Sequence, residues 1–137
     1  MAPGENRAGI EMREAHFPGR APVDAYGNGG FRFAAMSHQG SLLILANGMH
    51  AWRPARFSDV TKADFASILL TEKRPAFLLF GTGSEMHFPS SEIRKAFAEA
   101  GIALEAMTTG AAVRTYNILL AEKRDVTAAL LAVETVR

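Results

Sequence analysis

The chain contains no cysteine. Thiol nucleophiles, thiolate metal centres and disulfide scaffolds are excluded at once. It also lacks a charge excess: 15 Lys and Arg stand against 14 Asp and Glu, a formal charge of +1. A nucleic-acid-binding surface needs clustered positive charge, and none is visible. Long hydrophobic runs are missing too. Ser41-Leu42-Leu43-Ile44-Leu45-Ala46 has the length of a strand, and no run approaches the ~20 residues of a membrane-spanning helix. Four histidines include His16, His38 and His50, which have no metal-ligand spacing between them. The amino terminus has no apolar segment behind its charges and carries Glu5, Glu11 and Glu14 among its arginines. Neither a secretory signal nor an organellar transit peptide is expected.

The 137 residues, 48% of them hydrophobic, suit one domain able to bury a core without a staple. Pro3, Gly4 and Pro18-Gly19, with no sustained period around them, mark residues 1–20 as a flexible lead-in. A single α/β domain is expected over 21–137. From Phe31 the pattern is β-like. Asn47-Gly48 is a strong hairpin signal because both central positions of a type I′ turn need positive φ. Residues 31–53 are expected to form an antiparallel ribbon or three-stranded meander, closed by Pro54. Thr61-Lys62-Ala63-Asp64 reads as a capping box ahead of a short helix with Phe65, Ile68 and Leu69 on one face.

The second half is a βαβαβ pattern. Phe77-Leu78-Leu79-Phe80 does not alternate, as suits a strand covered on both faces. Ser90-Ser91 caps a helix with Ile93, Ala96, Phe97 and Ala100 in one stripe, and Gly101 ends it. Ile102–Met107 is the next strand, a helix follows from Thr108-Thr109 to about Lys123, and Val126–Val133 is the last strand. Strand, helix, strand, helix, strand implies parallel pairing. The loops at 81–89 and 108–110 then leave the carboxyl ends of parallel strands. Ligands bind at that edge in open α/β sheets, and helix starts there favour an anion. The candidate ligand residues are Gly81, Thr82, Gly83, Ser84 and His87 from the first loop, and Thr108, Thr109, Gly110, Arg114 and Asn117 from the second. Arg114 opposes the dipole of its own helix. It serves either as a clamp for a ligand anion or as a tether to Glu85 or Glu105.

Each feature also has a plainer reading. Gly81-Thr82-Gly83 is a GxG without the rest of a nucleotide fingerprint, and as a tight turn it needs no ligand. His87 could act as a base or simply be solvated. Tyr116 fits a core position with a tethered hydroxyl. Trp52 fits a core edge or an interface anchor. Ser84 is not in a GxSxG elbow. No complete catalytic set is present, so no catalytic residue, cofactor or metal is expected.

The stretch from Gly101 to Val126, with Arg114-Thr115-Tyr116-Asn117 at its centre and Leu78-Leu79-Phe80-Gly81-Thr82-Gly83 upstream, resembles the small family related to mitochondrial complex I (NADH:ubiquinone oxidoreductase) assembly factor 3. Asp24-Ala25-Tyr26-Gly27, Gly29-Gly30-Phe31 and Trp52 resemble its amino-terminal half. Val113 departs from relatives that carry cysteine there, which argues against family-wide thiol chemistry. The resemblance implies a single-domain, three-layer α/β fold: a central mixed sheet with helices on one side and a β ribbon plus a helix on the other. It implies an assembly role, through a partner assembly factor, in eukaryotic mitochondrial relatives, and supplies no enzyme activity. With no transit peptide expected, a bacterial cytoplasmic member is expected here. The first functional expectation is a non-enzymatic interaction or assembly protein with a protein partner or a second copy of itself, no nucleic acid and no membrane span. The alternative is a small-anion-binding protein or enzyme using the crevice between loops 81–89 and 108–117.

Overall fold

Phe77–Gly81 (β7) is buried on both faces, and its neighbours explain why. It pairs in parallel with Ala103–Met107 (β8) on one side and Thr127–Leu130 (β9) on the other. This computed structural model describes residues 16–136. Its main sheet has six strands in the order β1-β6-β5-β9-β7-β8, with β1 at His16–Phe17, β5 at Ser41–Leu45 and β6 at Gly48–Trp52. The β1, β6, β5 and β9 pairings are antiparallel, so the sheet is mixed. A second, antiparallel sheet is made by β2 (Val23–Gly27), β3 (Gly30–Phe33) and β4 (Met36–Gln39).

Alternate residues of the apolar strands supply two cores. Leu42, Ile44, Leu79, Ala128 and Leu130 face the small sheet and α3 (Thr109–Ala121), meeting Val23, Phe31, Phe33, Ala112 and Tyr116. Leu43, Leu78, Phe80, Ala129 and Leu131 face α1 (Ala66–Leu69) and α2 (Ser91–Ala100), meeting Phe65, Ile68, Ile93 and Phe97. On that side Phe65 meets Phe80 and Phe97 edge to face, with centroids 5.4 and 5.2 Å apart, and Trp52 lies 5.5 Å from Phe65. Such pairs add about 1 kcal/mol each to the burial of the rings. The result is the expected three-layer α/β fold: α1 and α2 on one face, the β ribbon and α3 on the other.

The helix ends follow the residues that flank them. The Ser90 hydroxyl accepts the Ile93 N–H at 3.2 Å, and Gly101 closes α2 at φ 74°. The Thr108 hydroxyl accepts the Ala111 N–H at 3.2 Å. After Thr61 the chain makes a 3-10 turn over Lys62–Phe65 before α1. There the Asp64 carboxylate accepts the Thr61 N–H at 2.8 Å and its hydroxyl at 3.0 Å.

Three expectations need correction. The lead-in over 1–20 lies outside the described residues as far as residue 15, but His16 and Phe17 pair with His50 and Met49. Strand pairing therefore begins ahead of residue 21. Residues 31–53 do not form one ribbon. Gly40, at φ 93°, separates β4 from β5, and the two hairpins enter different sheets because β5 is apolar on both faces. The third correction concerns the turn. The β5–β6 hairpin exists, but Leu45 pairs with Gly48, so its loop is Ala46-Asn47. The Asn-Gly turn with positive φ at both positions is Asn28-Gly29, at 51° and 77°, between β2 and β3.

Candidate functional site

The loops after β7 and β8 leave adjacent parallel strands at the same rim of the sheet, and the chain after β9 leaves there too. Two threonines bind the three exits together. Thr82 is buried. Its N–H donates to the Met107 carbonyl at 2.8 Å, its hydroxyl donates to the Glu85 carbonyl at 2.8 Å, and the hydroxyl oxygen accepts the His87 N–H at 3.0 Å. Thr109 is fully buried. Its N–H donates to the Gly83 carbonyl at 2.8 Å. Its hydroxyl accepts the Gly83 N–H at 3.0 Å and donates to the Leu131 carbonyl at 2.7 Å. Gly81 permits this approach, since a Cβ there would lie 3.0 Å from the Thr109 Cα. Gly83 holds the next turn at φ 108°.

This stitching uses two of the donors that an anion at the start of α3 would need. The Thr109 amide goes to Gly83 and the Ala111 amide to the Thr108 hydroxyl. A Cβ on Gly110 would run into the Tyr26 hydroxyl, so the Tyr26 ring rests against the first turn of the helix. What remains is a hollow of ≈ 260 Å³ lined by Gly83, Ser84, Thr108, Gly110 and Arg114, and by Tyr26, Val133 and Thr135. Arg114 is exposed and makes no ion pair among the described residues, with Glu85 and Glu105 included.

The other candidates lie apart. Asn117 faces β2: its Oδ1 accepts the Val23 N–H and its Nδ2 donates to the Val23 carbonyl, both at 2.9 Å. His87 stacks on Phe57, centroids 4.8 Å apart, at the wall of a wider hollow of ≈ 650 Å³ that also touches Arg56, Glu85 and Glu134. Tyr116 is fully buried, and its hydroxyl donates to the Ala21 carbonyl at 2.8 Å. Burial pushes that phenol far above its ordinary range, so it stays protonated. No local pattern marked Tyr26, or the 133–135 segment, as walls of the hollow. The 133–135 segment reaches the rim through bonds from the Asn28 and Gly29 amides to the Glu134 and Val133 carbonyls.

The 82–90 loop also presents apolar groups outward. Phe88 is 79% exposed and Met86 42%, on a loop fixed from below by Thr82. Among the described residues no group of three or more His, Asp or Glu could hold a metal ion. Likewise, no helix among them is long and apolar enough to cross a membrane.

A family model described as a protein of unknown function (DUF498/DUF598) matches residues 23–131. An uncharacterized protein of Rhodobacter capsulatus is 38% identical over 120 residues, covering 87% of this chain and 90% of that protein. The NADH dehydrogenase (ubiquinone) 1 alpha subcomplex assembly factor 3 of Mus musculus is 27% identical over 125 residues, 91% of this chain and 68% of that one. A crystal structure described as an outer membrane protein from Bartonella henselae superposes with a TM-score of 0.79 at 47% identity, covering 87% of this chain and all of that one.

Proposed function

This chain belongs to the DUF498/DUF598 family of proteins of unknown function, and on that premise we propose that it works by binding another protein, as an assembly-type factor for a respiratory NADH dehydrogenase. The observation that carries the reading is the match to the mouse assembly factor across 91% of the chain. The exposed apolar groups of the rim loop support this reading. An exposed aromatic on a loop already held by backbone bonds loses little freedom when a partner covers it, and such residues dominate binding energy at interfaces. Phe88, with Met86 beside it, is that residue here.

The anion-binding alternative has less support, because the Thr109 and Ala111 amides at the start of α3 are spent within the protein. The test is deletion of the gene, with membrane complexes resolved by native electrophoresis and stained for NADH dehydrogenase activity. The assembled enzyme should fall severalfold. The wild-type gene should restore it, and Phe88→Ser should restore it poorly. An unchanged level of assembled enzyme after deletion overturns the assembly role.

A further inference from the structure

At the end of the sheet away from the rim, Arg20 lies ahead of buried Ala21. Its side chain is only 15% exposed, and its Nη1 donates to the Asp125 Oδ1 at 2.8 Å. Its Nε and Nη2 are closed off from solvent and have no hydrogen-bond partner among the described residues. Buried guanidinium N–H groups are normally satisfied, so this one side chain carries two unmet donors.

The same side chain walls a cavity of ≈ 440 Å³ between the start of β7, the end of β5 and α1. Lys73 and Arg74 are in the wall with it, against one acid, Asp125, and Asn47, Ser67 and Thr71 supply neutral hydrogen-bonding groups. The lining therefore has an excess of two positive charges. Asp125 is itself 71% exposed, so its ion pair with Arg20 is screened by solvent. Arg74 is anchored, its Nε donating to the Leu69 carbonyl at 3.2 Å.

We propose that this cavity binds a small molecule through a phosphate monoester group. A guanidinium offers paired donors to a tetrahedral oxyanion. Binding requires Arg20 to turn toward the cavity and bring Nε and Nη2, now buried and unpartnered, to two phosphate oxygens. The local charge excess matches the ~1.5–2 negative charges of a phosphate monoester at neutral pH better than the single charge of a carboxylate. The volume lies within the range of ligand sites, roughly 300–1,000 Å³, and the neutral polar groups suit a hydroxylated remainder.

The test is a titration of the full-length, ¹⁵N-labelled protein with glycerol 3-phosphate, inorganic phosphate and acetate at equal ionic strength. The readouts are the Arg20 Nε–H resonance and the amides of Ser67 and Thr71. Both phosphates should saturate these shifts at millimolar concentration or below, and acetate should bind at least tenfold more weakly. Lys73→Gln, on the cavity wall and outside both cores, should weaken phosphate binding severalfold, and Arg20→Gln should abolish it. Absence of saturable shifts, equal response to acetate, or full binding by folded Arg20→Gln overturns the proposal. If Arg20→Gln fails to fold, undiminished binding by Lys73→Gln overturns it instead.

Discussion

Asn117 completes the hydrogen bonding of Val23 from 94 positions away, with its side-chain amide standing in for a neighbouring strand. Asn117→Ala leaves a backbone N–H and carbonyl without partners in a half-buried seam. Each unsatisfied group costs roughly 1–3 kcal/mol. A loss of about 2 kcal/mol in urea unfolding is expected, or roughly 5–10 °C in Tm. Arg114→Ala, three residues away and without an ion pair among the described residues, should unfold within about 0.5 kcal/mol of wild type. Equal losses in the two variants would show that the helix, and not the amide, carries the effect.

Thr109→Val keeps the shape of a fully buried side chain and removes the hydroxyl that joins Gly83 to Leu131. The Gly83 amide and the Leu131 carbonyl both lose a partner. The expected cost is about 2–4 kcal/mol. Faster hydrogen exchange should appear at Gly83 and along the 82–90 loop, measured against the core of β7.

Asp64 accepts bonds from Arg53 Nε and Nη2, both at 2.7 Å, as well as from Thr61. The Arg53 side chain foremost, helped by Thr61, holds its carboxyl at about 2 against an ordinary 3.8. The folded-state value is depressed, so the stabilisation is complete above pH 5 and disappears as pH falls from about 4 toward 2. Arg53 is 60% exposed, so solvent and salt screen part of it. A contribution of about 1–2 kcal/mol is expected. Asp64→Asn should flatten the acid limb of a stability–pH curve over that interval, and an unchanged limb would count against the pairing.

Ala34 and Ala35 form the β3–β4 turn at φ 50° and 60°. L-residues without a helpful side chain pay for that conformation. Ala34→Asn with Ala35→Gly should raise stability by about 1 kcal/mol in total, read as a higher urea midpoint at constant slope.

Phe88→Ser removes an exposed ring that supports no core. Its Tm should stay within about 2 °C of wild type. A large drop would make the ring structural and remove the reason for assigning it to a partner.

The βαβαβ half was legible because each of its signals is local. Ser90, Gly101 and Thr108 mark helix ends through their own side chains or lack of one, and the strand runs are apolar without alternation. The expected convergence of two βα loops on one rim followed from parallel pairing alone. Sheet membership was not legible in the first half. Phe31–Phe33 and Ser41–Leu45 look alike as apolar segments, and only the three-dimensional competition for the centre of the sheet separates them. Two Asn-Gly pairs compete as turn signals, and residue identity does not say which one takes positive φ at both positions. At the rim, sequence position brought the candidates near each other but could not show that Thr82, Thr109 and Asn117 would turn inward, leaving Arg114 exposed on the wall of the hollow. Arg20 gave no signal, since burial of an arginine is a tertiary property.

The order of the main sheet has a consequence for how the protein is made. The strand at residues 127–130 lies between β5 and β7, so the ribosome releases the central plank after the boards on either side of it. Until then the nascent polypeptide holds two incomplete half-sheets, each with a bare edge that invites pairing with other chains. Maturation is therefore gated by translation of the last strand, and the interval before it is when a holding chaperone would have most to do.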